Sequence, residues 1–213
     1  MTNPADAAEP RSRYWLVPVL RAVPAAVVAL IITFSANHAA GLGLVLFATF
    51  AVVDGLILEL VAAGRVPTRR DALNNRVQGA IEIVLAIVAV LLIGAGVAGF
   101  KWVAVVFGLV VGGLELANGL ASRRDGPFAR DWQTIGGLGI LLAIVVALTP
   151  TGYRKALGGI EHVQGTLDAS VIVVGFLGAY LALTAVFHII AGLSHKWGTA
   201  ATQPSSPNGA PPA

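Results

Sequence analysis

Six long apolar runs dominate this chain and leave it few ways to fold. Each is close to the ~20 residues that an α-helix needs to cross ~30 Å of hydrocarbon at 1.5 Å per residue. A helix satisfies its own backbone hydrogen bonds, which is a condition for crossing a bilayer. We therefore predict an all-α fold, a polytopic membrane bundle of six transmembrane helices. The runs are approximately Tyr14–Phe34, Ala39–Ala63, Val77–Val97, Phe100–Ala121, Trp132–Leu148 and Ala169–Leu193.

The composition agrees with a membrane protein and excludes several chemistries. Of the 213 residues, 56% are hydrophobic and only 12% are charged, whereas about a quarter of residues are charged in soluble domains. The chain has no cysteine, which excludes disulfides, thiolate metal sites and thiol nucleophiles. It also lacks the phosphate-binding, serine-hydrolase and zinc-protease motifs. We expect a protein that is not an enzyme and holds no cofactor or metal.

Basic residues are distributed unevenly among the connections between the runs. If the N-terminus is cytoplasmic, only Lys101, Arg154 and Lys155 lie outside, and the positive-inside rule favours this orientation with both termini in the cytoplasm. The same distribution accounts for the pI of about 9.7 without a nucleic-acid partner. The eleven residues assigned to the cytoplasmic side are Arg11, Arg13, Arg21, Arg65, Arg69, Arg70, Arg76, Arg123, Arg124, Arg130 and Lys196.

The two ends of the chain differ from the 14–196 membrane domain. Residues 1–13 are polar, and residues 197–213 form a tail that becomes uncharged and aperiodic from Thr199 onward. Such composition predicts disordered cytoplasmic ends. A cleaved signal peptide is the alternative for the first run, since arginines precede it and small residues follow it. A signal-peptide core usually has about 7–15 apolar residues and this run is longer, which favours a retained helix.

Two apolar phrases in the chain repeat each other. GAIEIVLAIVAVL (79–91) and GGLGILLAIVVAL (136–148) share seven of thirteen residues. In spans one, three and five, a polar residue also precedes a Pro or Gly by three positions, in RAVP (21–24), RVQG (76–79) and QTIG (133–136). These matches indicate that the odd-numbered spans are related.

The even-numbered spans share a second pattern. Phe107 is followed eight residues later by Glu115, and Tyr180 by His188, whereas eight residues after Phe47 the second span has a glycine. Together the patterns give a period of about 55 to 60 residues, which is typical of repeated units that bury their faces against one another. We predict three repeated helical hairpins, at about 14–65, 74–124 and 130–196.

These features resemble the HdeD-like acid-resistance membrane proteins. The resemblance rests on six spans in three hairpins, on a polar residue and Gly ahead of an ILLAIV-like run, and on the ELANGL phrase at 115–120. It covers residues 14–196 and carries over no site residues. It implies a bacterial inner (plasma) membrane protein that contributes to acid or envelope stress tolerance. The expected partners are the lipid bilayer and either another membrane protein or a second copy of the chain.

Ionisable residues inside the apolar runs are the candidate functional residues. A charge at the bilayer centre costs about 2.5–3.5 kcal/mol on insertion scales, so such side chains normally face the bundle interior. The favoured interpretation is that they form interhelical hydrogen bonds and ion pairs with the basic helix ends. The alternative is a proton-responsive polar cluster, as in a small proton-linked channel or transporter. The candidates are Asp54, Glu59, Glu82, Glu115 and His188.

The same runs disfavour an open pore, because their outer halves contain few polar residues. In the fourth span, Ala104, Gly108 and Gly112 are spaced by four and place small residues on one face. This spacing favours internal helix packing over an oligomer interface. Four tryptophans fall at the span ends, as expected for an interfacial aromatic belt. They are Trp15, Trp102, Trp132 and Trp197.

The predicted outer face contains two histidines, His38 and His162. An external acid-sensing role is one interpretation, and that of ordinary solvated loop residues is favoured over it. The longer outer loop, residues 149–168, has room for a short interfacial helix.

Overall fold

The chain folds into six long helices and one short pair of strands. The computed structural model describes residues 14–66, 68–122, 128–156 and 166–201. The helices are α1 (Leu16–Phe34), α2 (Ala40–Ile57), α3 (Arg69–Leu91), α4 (Gly96–Ala121), α5 (Ala129–Leu148) and α6 (Ala169–Ala201), and the strands are β1 (Arg154–Ala156) and β2 (Thr166–Asp168). A π-helical turn, Leu58–Ala62, extends α2, and a 3₁₀ turn, Ile93–Ala95, precedes α4.

All six helices are long and apolar enough to cross a membrane. The most hydrophobic part of each is only 39–50% buried inside the bundle. The remaining surface presents large apolar side chains, such as Leu30 and Ile87, that are more than half exposed. In water this surface would be unfavourable, whereas hydrocarbon solvates it well. The chain is a multi-pass, all-α membrane protein.

Helix boundaries differ from the sequence-based expectation most in α3 and α6. Helix α3 begins at Arg69, eight residues before the apolar run, because the Thr68 hydroxyl caps it by accepting the Asp71 N–H at 3.0 Å. It ends at Leu91 because a 3₁₀ turn follows and Gly96 adopts a φ of 62°. Helix α6 continues to Ala201, so residues 197–201 of the expected tail are helical. Residues 1–13 and 202–213, expected to be disordered, lie outside the described residues.

The most extensive helix contacts join α4 to α5, α1 to α6 and α2 to α3. Glycines permit the close approach: a Cβ on Gly79 would lie 2.7 Å from the Gly55 carbonyl oxygen, and one on Gly136 would lie 2.6 Å from the Gly112 carbonyl oxygen. The two helices of each predicted hairpin share smaller contacts. The threefold hairpin repeat therefore stays a prediction from the sequence.

The bundle has two distinct ends. We call the end where α1, α3 and α5 begin and α2, α4 and α6 end the basic face, because it carries most of the described Arg and Lys residues. The half of the bundle farther from the basic face is filled by apolar side chains of all six helices. At its centre the Phe107 ring contacts Phe47 at 5.2 Å and Tyr180 at 5.9 Å between centroids. The even-numbered helices thus meet in the middle of the bundle.

The described ends of the longer outer loop form strands, not the short interfacial helix for which the sequence has room. Strands β1 and β2 pair antiparallel, with Arg154 opposite Asp168. The intervening segment, which includes His162, lies outside the described residues. His38 is half-buried at the same end, and its carbonyl accepts the Ser170 hydroxyl at 2.6 Å.

Candidate functional site

An arginine and an aspartate form a buried ion pair between α1 and α2. Arg21 lies in the second turn of α1 and is only 8% exposed. Its Nε donates to Asp54 Oδ1 at 3.0 Å, and its Nη2 donates to Asp54 Oδ2 at 2.8 Å. This two-point geometry matches the planar guanidinium to the carboxylate and fixes both side chains.

A second carboxylate binds the same guanidinium from α4. Arg21 Nη1 donates to Glu115 Oε1 at 2.8 Å. The Gln78 amide of α3 donates to Glu115 Oε1 at 3.0 Å and to Glu82 Oε1 at 3.2 Å. Four helices are therefore joined by five buried side chains. We call these five, Arg21, Asp54, Gln78, Glu82 and Glu115, the Arg21 network.

The formal charges of the Arg21 network do not balance. It holds one guanidinium and three carboxylates, which sum to −2 if every group is ionised. Glu82 is 0% exposed and Asp54 is 1% exposed, so water does not solvate these charges. An uncompensated buried charge costs several kcal/mol even after relaxation. Full ionisation of the network is therefore unfavourable, and bound protons or a cation would stabilise it.

Three buried polar atoms have no hydrogen-bonding partner within the described part of the chain. They are Glu82 Oε2, Thr184 Oγ1 and His188 Nδ1. Buried polar atoms in native proteins are nearly always hydrogen-bonded, so each such atom needs an explanation, such as a bound water or a proton. Glu82 and His188 were both singled out by the sequence, and both have unused hydrogen-bonding capacity beside or within the Arg21 network.

A small cavity lies next to the Arg21 network on the side of the basic face. Its volume is about 20 Å³, which is close to the space that one water molecule requires. It lies among α1, α4, α5, α6 and Tyr14, which precedes α1. The lining residues are Tyr14, Val17, Pro18, Arg21, Glu115, Asp131, Trp132, Ile135 and His188.

Aromatic side chains close the basic face beside this cavity. The Tyr14 ring contacts Phe128 at 3.7 Å between centroids, and Phe128 contacts His195 at 4.6 Å. His195 Nε2 lies 2.6 Å from Asp131 Oδ2. Burial raises the pKa of the Tyr14 hydroxyl, so this residue stays neutral.

The structure brings four of the five candidate ionisable residues together. Asp54, Glu82 and Glu115 belong to the Arg21 network, and His188 lines the adjoining cavity. Glu59 differs: it lies in the π-helical turn, is half-buried, and makes no side-chain hydrogen bond to any described residue.

Two residues of the network were not recognised as site residues in the sequence. From the sequence, Arg21 counts only among the basic residues of the cytoplasmic side, whereas the structure buries its side chain and pairs it with two carboxylates. Its position inside the first apolar run and in the repeated RAVP phrase was the available signal. Gln78 lies in the matching RVQG phrase, and its amide is the link between Glu82 and Glu115.

The small residues of α4 contact the α5 backbone. A Cβ on Gly112 would lie 2.9 Å from the Gly136 carbonyl oxygen, and one on Gly108 would lie 2.9 Å from the Ala143 Cβ. Ala104, one turn away, is buried. These positions hold α4, which carries Glu115, close to α5, which carries Asp131.

The tryptophans divide into two groups. Trp102 and Trp197 are more than 60% exposed, and Trp15 lies under Lys196 Nζ at 4.6 Å from its ring centroid. Trp132 is only 7% exposed and packs in the aromatic cluster. It is a core residue of the basic face and not a lipid-facing anchor, because the ring of Phe128 lies against it.

The described residues contain no group of three or more His, Asp or Glu side chains that could hold a metal ion. Comparison of the chain with protein families, with curated proteins and with solved structures gave no match.

Proposed function

We propose that this chain is a non-enzymatic membrane protein that binds protons in the Arg21 network and responds to acidity at its basic face. The observation that carries the proposal is the set of three buried carboxylates around one guanidinium. Arg21 balances one negative charge, and protons that bind as the pH falls balance the others. Glu82, whose Oε2 has no partner among the described residues, is the group best placed to hold one of them.

Protons suit this site better than a hydrated cation does. The adjoining cavity has a volume of only about 20 Å³, so it accommodates roughly one water and not an ion with its hydration shell. The Gln78 amide nitrogen already donates to one oxygen of Glu82 and one of Glu115, and the described part of the chain holds no group of three or more carboxylates and histidines that could bind a metal ion. A proton needs only an oxygen lone pair, and Glu82 Oε2 offers one.

The arrangement supports proton binding from the basic face and does not support proton conduction across the bilayer. Beyond the Arg21 network, the half of the bundle away from the basic face is packed with apolar side chains. The rings of Phe47, Phe107 and Tyr180 close the centre. A conducting path requires polar groups or water along its whole length, whereas mainly apolar and aromatic side chains fill the centre of this half of the described bundle.

The biological role that we propose is a contribution to acid or envelope stress tolerance in a bacterial inner membrane. The resemblance to HdeD-like proteins supports this role, and the positive-inside rule supports a cytoplasmic basic face. In this orientation the site would take up protons when the cytoplasm acidifies. Uptake neutralises a carboxylate that holds α2 or α4 to Arg21, and so loosens the bundle at this face.

Infrared spectroscopy of the purified protein tests proton binding directly. Protonated carboxyl groups have a carbonyl stretch that carboxylates lack, so acidification from mildly alkaline pH should change this band. We expect Glu82→Gln to remove part of the band, because Gln is nearly isosteric and cannot titrate. The matched control is Glu59→Gln, which should leave the buried-carboxyl part of the band intact. A band that Glu82→Gln, Asp54→Asn and Glu115→Gln all leave unchanged would refute the proposal.

Two further measurements test the proposal. One distinguishes proton binding from proton transport, and the other tests the role in acid stress. In liposomes with an internal pH-sensitive dye, we expect no proton flux beyond that of protein-free vesicles. A flux that Glu82→Gln and Glu115→Gln abolish would replace the binding proposal with a proton-linked transporter. Deletion of the gene followed by acid challenge tests the role in the cell, and unaltered survival would remove it.

A further inference from the structure

The cavity beside the Arg21 network has the features of a built water site. Three of its lining residues are buried and polar: Glu115, Arg21 and His188, whose Nδ1 has no partner within the described part of the chain. Its volume of about 20 Å³ exceeds the minimum of about 10–15 Å³ that one water molecule needs. A buried water also needs two to four polar partners, and these side chains provide them.

One residue connects this cavity to the solvent. Of its nine lining residues, eight are buried, and only Asp131 is not. The Asp131 side chain is 35% exposed at the basic face and contacts His195 at 2.6 Å. Asp131 therefore both lines the cavity and is partly exposed to solvent, beside the stacked rings of Tyr14 and Phe128.

We propose that this cavity holds a water molecule and is the route by which protons reach the Arg21 network, with Asp131 at its entrance and His188 positioning the water. The inference rests on the proposed function, because it concerns how protons reach the Arg21 network. A proton from solvent passes by way of Asp131 to the cavity water, forming a hydronium. The hydronium then donates the proton to the Glu115 carboxylate and is again a neutral water.

His188 is suited to position this water. It is 5% exposed, and its Nδ1 lacks a partner within the described part of the chain, so it can accept a hydrogen bond from the water. The charged and titratable groups around the route are Arg21 on α1, Asp54 on α2, Glu82 on α3, Glu115 on α4, Asp131 on α5, Tyr180 and His195 on α6, and Tyr14 before α1.

A competing route runs along α3. Asp71, Asn75, Gln78 and Glu82 are all buried and recur at helical spacing from the basic face inward. These four side chains do not line the cavity beside the Arg21 network, so this route would be separate from it. Asn75 therefore serves to test the alternative.

The rate of proton uptake distinguishes the two routes. A rapid drop in pH is applied to the protein in detergent, and the growth of the protonated-carboxyl band is followed in time. We expect His188→Phe, which keeps a ring but no nitrogen, to slow uptake about tenfold, corresponding to about 1.4 kcal/mol in the barrier. His188→Gln keeps a hydrogen-bonding group and should restore most of the rate. Asn75→Leu should leave the rate unchanged.

A second variant removes the water without touching a polar group. Val17→Leu adds one methylene to the cavity wall and should slow uptake while the final amount of bound proton stays the same. Val27→Leu, on the lipid-facing side of the same helix, is its matched control and should have no effect.

Each outcome of these measurements is decisive. Slower uptake in His188→Phe and Val17→Leu alone supports the route through the cavity. Slower uptake in Asn75→Leu alone, or equal rates in every variant, overturns it while the proposed function stands. Absence of the protonated-carboxyl band in the unmodified protein overturns the proposed function itself.

Discussion

Removal of the Arg21 side chain is the perturbation that the structure predicts most sharply. Arg21→Leu keeps an apolar stem in α1 and deletes every hydrogen bond that the guanidinium donates to Asp54 and Glu115. The two carboxylates are then left buried without a cation. Breaking a buried ion pair from one side costs about 3–5 kcal/mol, because the remaining charge is uncompensated. A neutral interhelical hydrogen bond in a membrane protein averages only about 0.6 kcal/mol.

The pH dependence of the stability lost in Arg21→Leu identifies the cause of that loss. Acid neutralises the carboxylates that Arg21→Leu leaves behind, so the difference in unfolding free energy from the unmodified protein should shrink as pH falls. A loss caused by poorer packing of leucine would not change with pH. The double variant Arg21→Leu with Asp54→Leu should regain part of the stability, because replacing a buried ion pair by apolar residues is often neutral.

Unfolding by dodecyl sulfate in mixed micelles, followed by the fluorescence of the four tryptophans, measures these differences. Arg76→Leu is the matched control, because Arg76 is exposed on α3 and should matter little. A loss in Arg21→Leu no larger than about 0.6 kcal/mol, or one independent of pH, would refute the assignment of Arg21 as the cation of a buried charged site.

Three further predictions concern packing, backbone and topology. Gly79→Ala should destabilise the bundle by about 1–3 kcal/mol, because its Cβ would lie 2.7 Å from the Gly55 carbonyl oxygen. Gly137→Ala, with open space around the new methyl, should be neutral or stabilising in the same unfolding assay, and equal effects at both positions would contradict this packing argument. Gly96→Ala should cost about 1–2 kcal/mol, because Gly96 has a φ of 62°; an unchanged unfolding midpoint would contradict this. A reporter fused at position 160 should give an external signal, and a cytoplasmic signal there would overturn the orientation.

The residues of the Arg21 network and of the adjoining cavity were only partly predictable from the sequence. Asp54, Glu82, Glu115 and His188 stand out in the sequence because an ionisable residue in an apolar run is costly and rarely accidental. Their partner did not stand out. Arg21 lies near a helix end, where a long side chain can equally extend toward the membrane surface, and only the packing of α2 and α4 against α1 decides between the two.

The prediction of helix boundaries from the sequence was limited by a different cause. Hydropathy locates the part of a helix that lies in hydrocarbon, and it therefore missed the polar first two turns of α3 that follow the Thr68 cap. The prediction of side-chain environment had a similar limit, as Trp132 shows. Its place at a span end suggested a lipid-facing anchor, whereas Phe128 from the adjacent turn buries it.

The sequence by itself determined the number of helices, their approximate extent and the presence of ionisable groups within them. These properties depend on local apolar length, which the thickness of a bilayer makes decisive. The tertiary structure alone decided that Arg21 meets Asp54, 33 positions away, and Glu115, 94 positions away. Such meetings depend on which helix faces pack together, and every apolar face in lipid is nearly equivalent until glycines and polar side chains select its neighbour.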